Sequence, residues 1–397
     1  MIVRLAAETI FWSSVMALCY TYAGYPLLLA LVSAVKPRRV RRQDFEPTVS
    51  IIITAYNEER DLADKLENTL ALDYPRHLLD IVVASDCSTD RTDEIAQQFV
   101  ARGVRLHRQT ERLGKTAAQN AAVEHVRGEI ILFSDATSLY QPDALRAIMP
   151  SFADATVGCV AGRLIYVDGS DSPVGKGARS YWGYETFLKR HESRIGSLIG
   201  ASGCLYAVRR SAYVPLYNEA CSDFIIATKM VEQNLRAVYE PGAVCTEETN
   251  RQGGKELKMR VRIIAQTLND LWRHRVMLNP FLSGFYGVQL LSHKVMRYLV
   301  PFFLIGLFFA SALLAVDSIS FRLLLLIQMA GYACPAFAWM LNRAGIRSRL
   351  LALPQYFILA NLASLIACYQ FLRGERYARW EPIRESRPQT VASYRSS

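Results

Sequence analysis

The run Ile130-Ile131-Leu132-Phe133-Ser134-Asp135-Ala136-Thr137-Ser138 puts a carboxylate at the end of an apolar stretch rich in β-formers. The carboxyl end of a parallel strand is where open α/β sheets bind ligands. Asp135 could hold a divalent cation there, and the cation a diphosphate. Asp135 could equally cap a turn leading to a helix near Gln141-Pro142-Asp143. This run alone supports both readings.

Neighbouring elements must decide. Val49 to Ile53 and Asp80 to Ala84 read as buried strands. Leu62, Leu66 and Leu70 mark one face of a helix between them. A helix from about Asp90, a short strand at Val104-Arg105-Leu106 and a helix near Lys115 precede the Ile130 strand. This alternation predicts an α/β fold with a mainly parallel sheet and helices on both faces. The second strand also ends in an acid, Asp86, within Ser85-Asp86-Cys87-Ser88-Thr89-Asp90. Ser88 or Asp90 can cap the next helix. No glycine-rich fingerprint follows the first strand, and Gly114-Lys115-Thr116 lacks the upstream glycine of a phosphate loop. A nicotinamide enzyme and an ATPase are disfavoured.

The formal net charge is +10. It gathers beside apolar stretches, at Lys36 to Arg42 and at Lys255 to Arg275, which suits an anionic membrane surface better than nucleic acid. The eight cysteines form no Cys-x-x-Cys pair or Cys/His cluster, so a structural zinc site is not expected.

Four stretches are apolar enough to span a bilayer: Ile10 to Val35, Tyr298 to Val316, Leu323 to Leu341 and Leu350 to Leu372. The Arg38–Arg42 cluster places the central region in the cytosol. Strict alternation then puts the tail outside, although it carries Arg373, Arg376, Arg379, Arg384 and Arg387. Either one late segment is re-entrant or interfacial, or the tail breaks the positive-inside rule. Phe281 to Arg297 also reads as interfacial.

Together the segments from Val49 to about Arg275 resemble a family 2 glycosyltransferase of the GT-A type. The resemblance is to the membrane-bound branch that includes cellulose, chitin and hyaluronan synthases. It is carried by the first strand with Asn57-Glu58, by Asp86-Cys87-Ser88-Thr89-Asp90, and by Gly114-Lys115 with Asn120. Cys87 stands where the family has glycine. Asp135-Ala136-Thr137 resembles a relaxed form of the family's Asp-x-Asp metal motif. Ile199 to Arg210 resembles its acceptor-side segment, and Cys221-Ser222-Asp223-Phe224 its catalytic-base motif.

That resemblance implies roles residue by residue. Asp135, with Thr137 as a neutral oxygen, would bind Mg2+ or Mn2+. Tyr56, Glu58 and Asp86 would contact uracil and ribose, and Lys115 the nucleotide. Gly203 would let a sugar approach the backbone. Asp223 would deprotonate the acceptor hydroxyl. Arg262, with Arg260, would neutralise the departing diphosphate. The first acid of the usual base pair is Ser222 here, and no Gln-x-x-Arg-Trp follows, which puts long processivity in doubt.

The expected organisation is a transmembrane helix with its flank at 1–36 and a GT-A domain at 46–250. Interfacial helices at 251–297, about three transmembrane helices at 298–372 and a basic tail at 373–397 follow. The expected activity is inverting transfer from a nucleotide sugar, a UDP-sugar, to a growing polysaccharide. The protein would be a multi-pass membrane protein with a cytoplasmic catalytic domain, in the inner membrane of a bacterium. Alternatives are single-sugar transfer to a lipid carrier, an inactive accessory subunit, and a transporter or scaffold. No nucleic-acid partner is expected.

Overall fold

The computed structural model describes residues 1–167, 173–248, 253–343 and 351–379. Arg384 and Arg387 of the basic tail lie outside the described residues. Two compact units form, one from Met1–Val35, Asp171–Tyr184 and Arg251–Glu375, the other from Lys36–Ser170, Glu185–Asn250 and Arg376–Ser397.

In the second unit, eight strands make one sheet: β1 (Val49–Ala55), β2 (Leu79–Ser85), β3 (Val104–Arg108), β4 (Ile130–Asp135), β5 (Leu139–Tyr140), β6 (Val157–Val167), β7 (Tyr206–Arg209) and β8 (Arg236–Glu248). Their order is β3-β2-β1-β4-β7-β6-β8-β5. The first four strands pair in parallel, as the alternating pattern predicts. Strand β7 is antiparallel to both β4 and β6, β6 and β8 pair in parallel, and β5 closes the edge antiparallel to β8. The sheet is therefore mixed, though mostly parallel.

Strand β1 is buried along its whole length, which is why it reads as an unbroken apolar run rather than an alternating one. Ile52, Val82, Ile131, Phe133 and Val208 carry one core across both halves of the sheet. Each such side chain contributes about 2 kcal/mol on burial. Phe133 stacks on Tyr206, ring centroids 5.0 Å apart, and so ties β4 to β7. Strand register sets Asp135 beside Thr54 at the carboxyl edge, and Ser85 beside Ala55.

The loops after β1 and β2 are stitched together. Asn57 accepts from the Thr89 amide at 2.7 Å, and the Glu58 amide donates to Thr92 Oγ1 at 2.7 Å. Asp90 Oδ1 accepts from the Thr92 amide at 3.0 Å, fastening the start of the helix Thr92–Gln98. Asn57 and Cys87 both sit in the left-handed region, at φ 54° and 58°. Asparagine tolerates that conformation, whereas cysteine carries a Cβ penalty of roughly 1 kcal/mol.

In the first unit, among the described residues, four helices are long and apolar enough to cross a membrane: Ile2–Val35, Phe285–Leu314, Ile319–Ala338 and Ala352–Leu372. Phe285–Leu314 is longer than the expected Tyr298–Val316 span. A π-turn at Leu291–Val295 lets the helix run on through residues that read as interfacial. Ala7 and Phe11 of the first helix pack on Leu307, Ala310 and Leu314. Gly253–Arg273 is a separate amphipathic helix.

Cys87→Gly should leave thermal stability equal or slightly higher, because glycine adopts φ 58° without strain. Cys87→Val should lower it by more than about 1 kcal/mol, since a β-branched residue tolerates that backbone worst. Thermal unfolding of the two variants in detergent checks the order.

Candidate active site

The polar groups converge where β4 ends. Asp135 Oδ1 accepts an ion pair from Lys115 Nζ, both side chains being partly exposed. Gly203 marks the centre: a Cβ placed on it would lie 3.3 Å from Asp223 Oδ2, 3.3 Å from Lys115 Nζ and 3.5 Å from Asp135 Oδ2. Two carboxylates and one ammonium therefore surround a position where even a methyl group would be tightly packed. Burial works against the Lys115 ammonium, but the Asp135 and Asp223 carboxylates outweigh it, and its pKa is raised. The lysine stays charged near neutral pH, as neutralisation of a phosphate requires.

Each group is held from behind. Lys115 opens the helix Lys115–Val123, and both Asp86 oxygens fix the loop before it. Asp86 Oδ1 accepts from the Leu113 amide at 2.9 Å, and Oδ2 from the Gly114 amide at 3.0 Å. Burial raises the Asp86 pKa, against the pull of those two amides and of Arg112 and Arg379. Asn120 is also a brace: its Oδ1 accepts from Tyr213 at 2.8 Å and its Nδ2 donates to the Leu216 carbonyl at 2.6 Å. Asp223 lies in the first turn of Ser222–Glu232, and its carbonyl accepts from the Ala201 amide at 2.7 Å. Lys189 donates to the Ala201 carbonyl at 3.1 Å and to Ser202 Oγ at 2.7 Å, pinning the small-residue segment that carries Gly203.

The turn after Asp135 is clamped by residues that sequence reasoning missed. Lys65, wholly buried, donates to the Ser138 carbonyl at 2.6 Å, and its ammonium lies 3.3 Å from the centroid of the Tyr140 ring. Asn68, one helical turn on, exchanges hydrogen bonds with Tyr140 at 2.9 and 2.7 Å. Burial lowers the Lys65 pKa to about 7. The only sequence signal was a lysine beside Leu66, at the edge of the helix's apolar face.

Thr137 points to an acid not singled out in the sequence: its Oγ1 donates to Glu247 Oε1 at 3.1 Å. The donors here, Asp135 carboxylate, Thr137 hydroxyl and Glu247 carboxylate, are hard oxygens of the kind Mg2+ and Mn2+ take. Lys115 already presents a positive charge to the same Asp135 oxygen. The residues fit a divalent cation whose remaining ligands come from a diphosphate. No group of three or more His, Cys, Asp or Glu side chains able to hold a metal by itself occurs among the described residues.

The other candidates divide between the units. Tyr56 and Glu58 are nearly buried at the end of β1, and the Arg112 guanidinium lies 3.8 Å from the centroid of the Tyr56 ring. Arg260 and Arg262 belong to the other unit, on Gly253–Arg273. There Arg260 donates to Glu256 at 2.8 Å and lies over the Tyr356 ring. Arg262, two positions on, projects from a face about 160° away.

A profile of the family "Glycosyl transferase family 2" matches residues 50–220, which hold Asp86, Lys115, Asp135 and Gly203. This segment is a family 2 glycosyltransferase domain. The chain is 27% identical over 220 residues to the beta-monoglucosyldiacylglycerol synthase of Nostoc sp., covering 51% of this chain and 47% of that protein. It is 24% identical over 236 residues to the poly-beta-1,6-N-acetyl-D-glucosamine synthase of Staphylococcus aureus, covering 57% and 53%. The matched segment thus spans about half the length of these curated relatives. In structure the chain is similar to the mannosyltransferase from Pyrobaculum calidifontis solved with GDP-Man and Mn2+. The TM-score is 0.73 at 23% identity, over 93% of this chain and 99% of that one. The glycosyltransferase domain accordingly has the GT-A fold.

Two predictions follow from the geometry. Gly203→Ala puts a methyl group 3.3 Å from both Lys115 Nζ and Asp223 Oδ2, so turnover should fall about 10- to 100-fold with little change in thermal stability. Steady-state kinetics beside a melting curve check it. Lys65 has a lowered folded pKa, so the unfolded chain binds more protons between about pH 7 and pH 10. Stability should therefore rise with pH across that window relative to Lys65→Met. A pH-independent difference between the two melting curves would contradict the assignment.

Proposed function

We propose that this protein is a membrane-embedded, inverting glycosyltransferase that moves a sugar from a nucleotide sugar, a UDP-sugar, to a growing polysaccharide. The observation that carries the proposal is the convergence of Asp135, Lys115 and Asp223 on Gly203. The acceptor hydroxyl attacks the anomeric carbon from the face opposite the diphosphate. Asp223 takes its proton as the bond to the leaving oxygen breaks. Lys115 neutralises the departing phosphate charge. Asp135 and Thr137, with Glu247 behind the threonine, would hold Mg2+ or Mn2+, which supplies further charge neutralisation to the diphosphate. Tyr56, Glu58 and Asp86 form the nucleotide end of the site. Arg260 and Arg262, to which the family resemblance assigns the departing diphosphate, lie on Gly253–Arg273 of the other unit.

Four apolar helices support placement in a membrane, and the Arg38–Arg42 cluster supports a cytoplasmic catalytic unit in the inner membrane of a bacterium. The similarity to the Staphylococcus aureus synthase supports the polysaccharide product. A second reading, single transfer to a lipid acceptor, is favoured by the missing Gln-x-x-Arg-Trp and by the similarity to the Nostoc synthase.

The test is a panel of radiolabelled nucleotide sugars in membrane vesicles, with the product sized. One sugar should release its nucleoside diphosphate and yield a ladder of long chains. A single glycolipid band would select the second reading. No diphosphate release from any donor, with the protein folded, would contradict both.

A further inference from the structure

We propose that the apolar helix Ala352–Leu372 does not cross the bilayer. It lies beside Gly253–Arg273 in the cytoplasmic leaflet, and the basic tail emerges on the cytoplasmic side. The inference rests on the membrane-embedded reading above but not on the chemistry of the site.

The first observation is the helix pair. Near the start of both helices, Tyr356 donates to Glu256 Oε1 at 3.4 Å and its ring lies under the Arg260 guanidinium at 4.6 Å. Near the end of both, the Trp272 and Phe371 rings stand 6.5 Å apart. From the first contact to the second, the chain advances about 16 residues on one helix and about 15 on the other, roughly 23 Å in each. The two helices therefore run parallel and side by side over most of their length. Gly253–Arg273 carries Lys255, Glu256, Lys258, Arg260, Arg262, Asp270 and Arg273. A charge at mid-bilayer is costly even on the mildest scale, so this helix cannot span. A partner flush against it cannot span either.

The second observation is the tail. The Ala378 carbonyl oxygen packs so closely on Gly114 that a side chain at Gly114 would collide with it. The Arg379 guanidinium is among the charges acting on Asp86. No bilayer lies between groups in contact, so Ala378 shares the catalytic unit's side. From Leu372 to Ala378 the chain reaches at most about 20 Å, less than the roughly 30 Å hydrocarbon core. Leu372 is thus on that side too. Phe285–Leu314 leaves that side and Ile319–Ala338 returns to it, so Ala352 starts where Leu372 ends.

The third observation is charge. With no crossing by Ala352–Leu372, Arg373, Arg376 and Arg379 fall on the same face as the Arg38–Arg42 cluster, and the positive-inside rule is satisfied. Exposed Leu362, Tyr369 and Leu372 lie within about 80° of one another around the helix and give it an apolar face for the acyl region of one leaflet.

The test uses the full chain in bacterial inner membranes. Green fluorescent protein and alkaline phosphatase are each fused after Ser397, and alkaline phosphatase is inserted at Asp317 as a second position. The proposal expects a fluorescent, phosphatase-inactive C-terminus and an active phosphatase at Asp317. Active phosphatase at both positions would overturn the proposal and leave the membrane reading standing. Inactive phosphatase at Asp317 would overturn both. None of these readouts depends on sugar transfer, so they separate from a failure of the enzymatic reading.

Discussion

An ammonium group set among two carboxylates is the constraint the catalytic unit is built around. Lys115 pairs with Asp135 and feels Asp223, and the three meet at a glycine. Like charges brought this close need the lysine between them. Each comes from a different element: the end of β4, the start of Lys115–Val123 and the first turn of Ser222–Glu232. A small shift of any one unbalances the other two, so the surrounding structure is committed to holding loops still. Asp86 fixes the loop before Lys115, Lys65 and Asn68 fix the turn after Asp135, and Lys189 fixes the segment before Gly203.

These braces give several of the proposed site residues an architectural part as well. Asp86 and Asn120 belong to the motifs that mark the family, yet their oxygens accept from backbone amides and from a neighbouring tyrosine. Lys65 shows the cost of such bracing. Its wholly buried ammonium has no carboxylate bonded to it and is held by one carbonyl and one aromatic face, so its proton is weakly bound.

Much of this was legible in the residues because parallel strands buried on both faces are plain apolar runs, and their carboxyl ends are where polar groups collect. Strands β1, β2 and β4 and the places of Asp86 and Asp135 follow from that logic alone. The antiparallel strand in the middle of the sheet was not legible: β7 is only Tyr206–Arg209, and its partners β4 and β6 lie far away in sequence. The Thr137–Glu247 contact was hidden for the same reason, since β8 joins the sheet through β6. In the membrane unit, hydropathy identifies apolar helices but not their depth. Phe281 to Arg297 reads as interfacial, yet from Phe285 the chain continues into one long helix, while Leu350 to Leu372 reads as a span and Ala352–Leu372 is long and apolar enough to be one. Depth depends on which helix lies beside which, and composition carries no trace of that.

The central claim is a division of labour, with Asp135 serving the metal and diphosphate and Asp223 serving the acceptor. Electron paramagnetic resonance of Mn2+ titrated into the purified protein with UDP tests it most directly. The account predicts that Asp135→Asn loses UDP-dependent Mn2+ binding, while Asp223→Asn binds Mn2+ and UDP as the unaltered protein does but does not turn over. Equal Mn2+ binding by both variants, or equal loss in both, would contradict it.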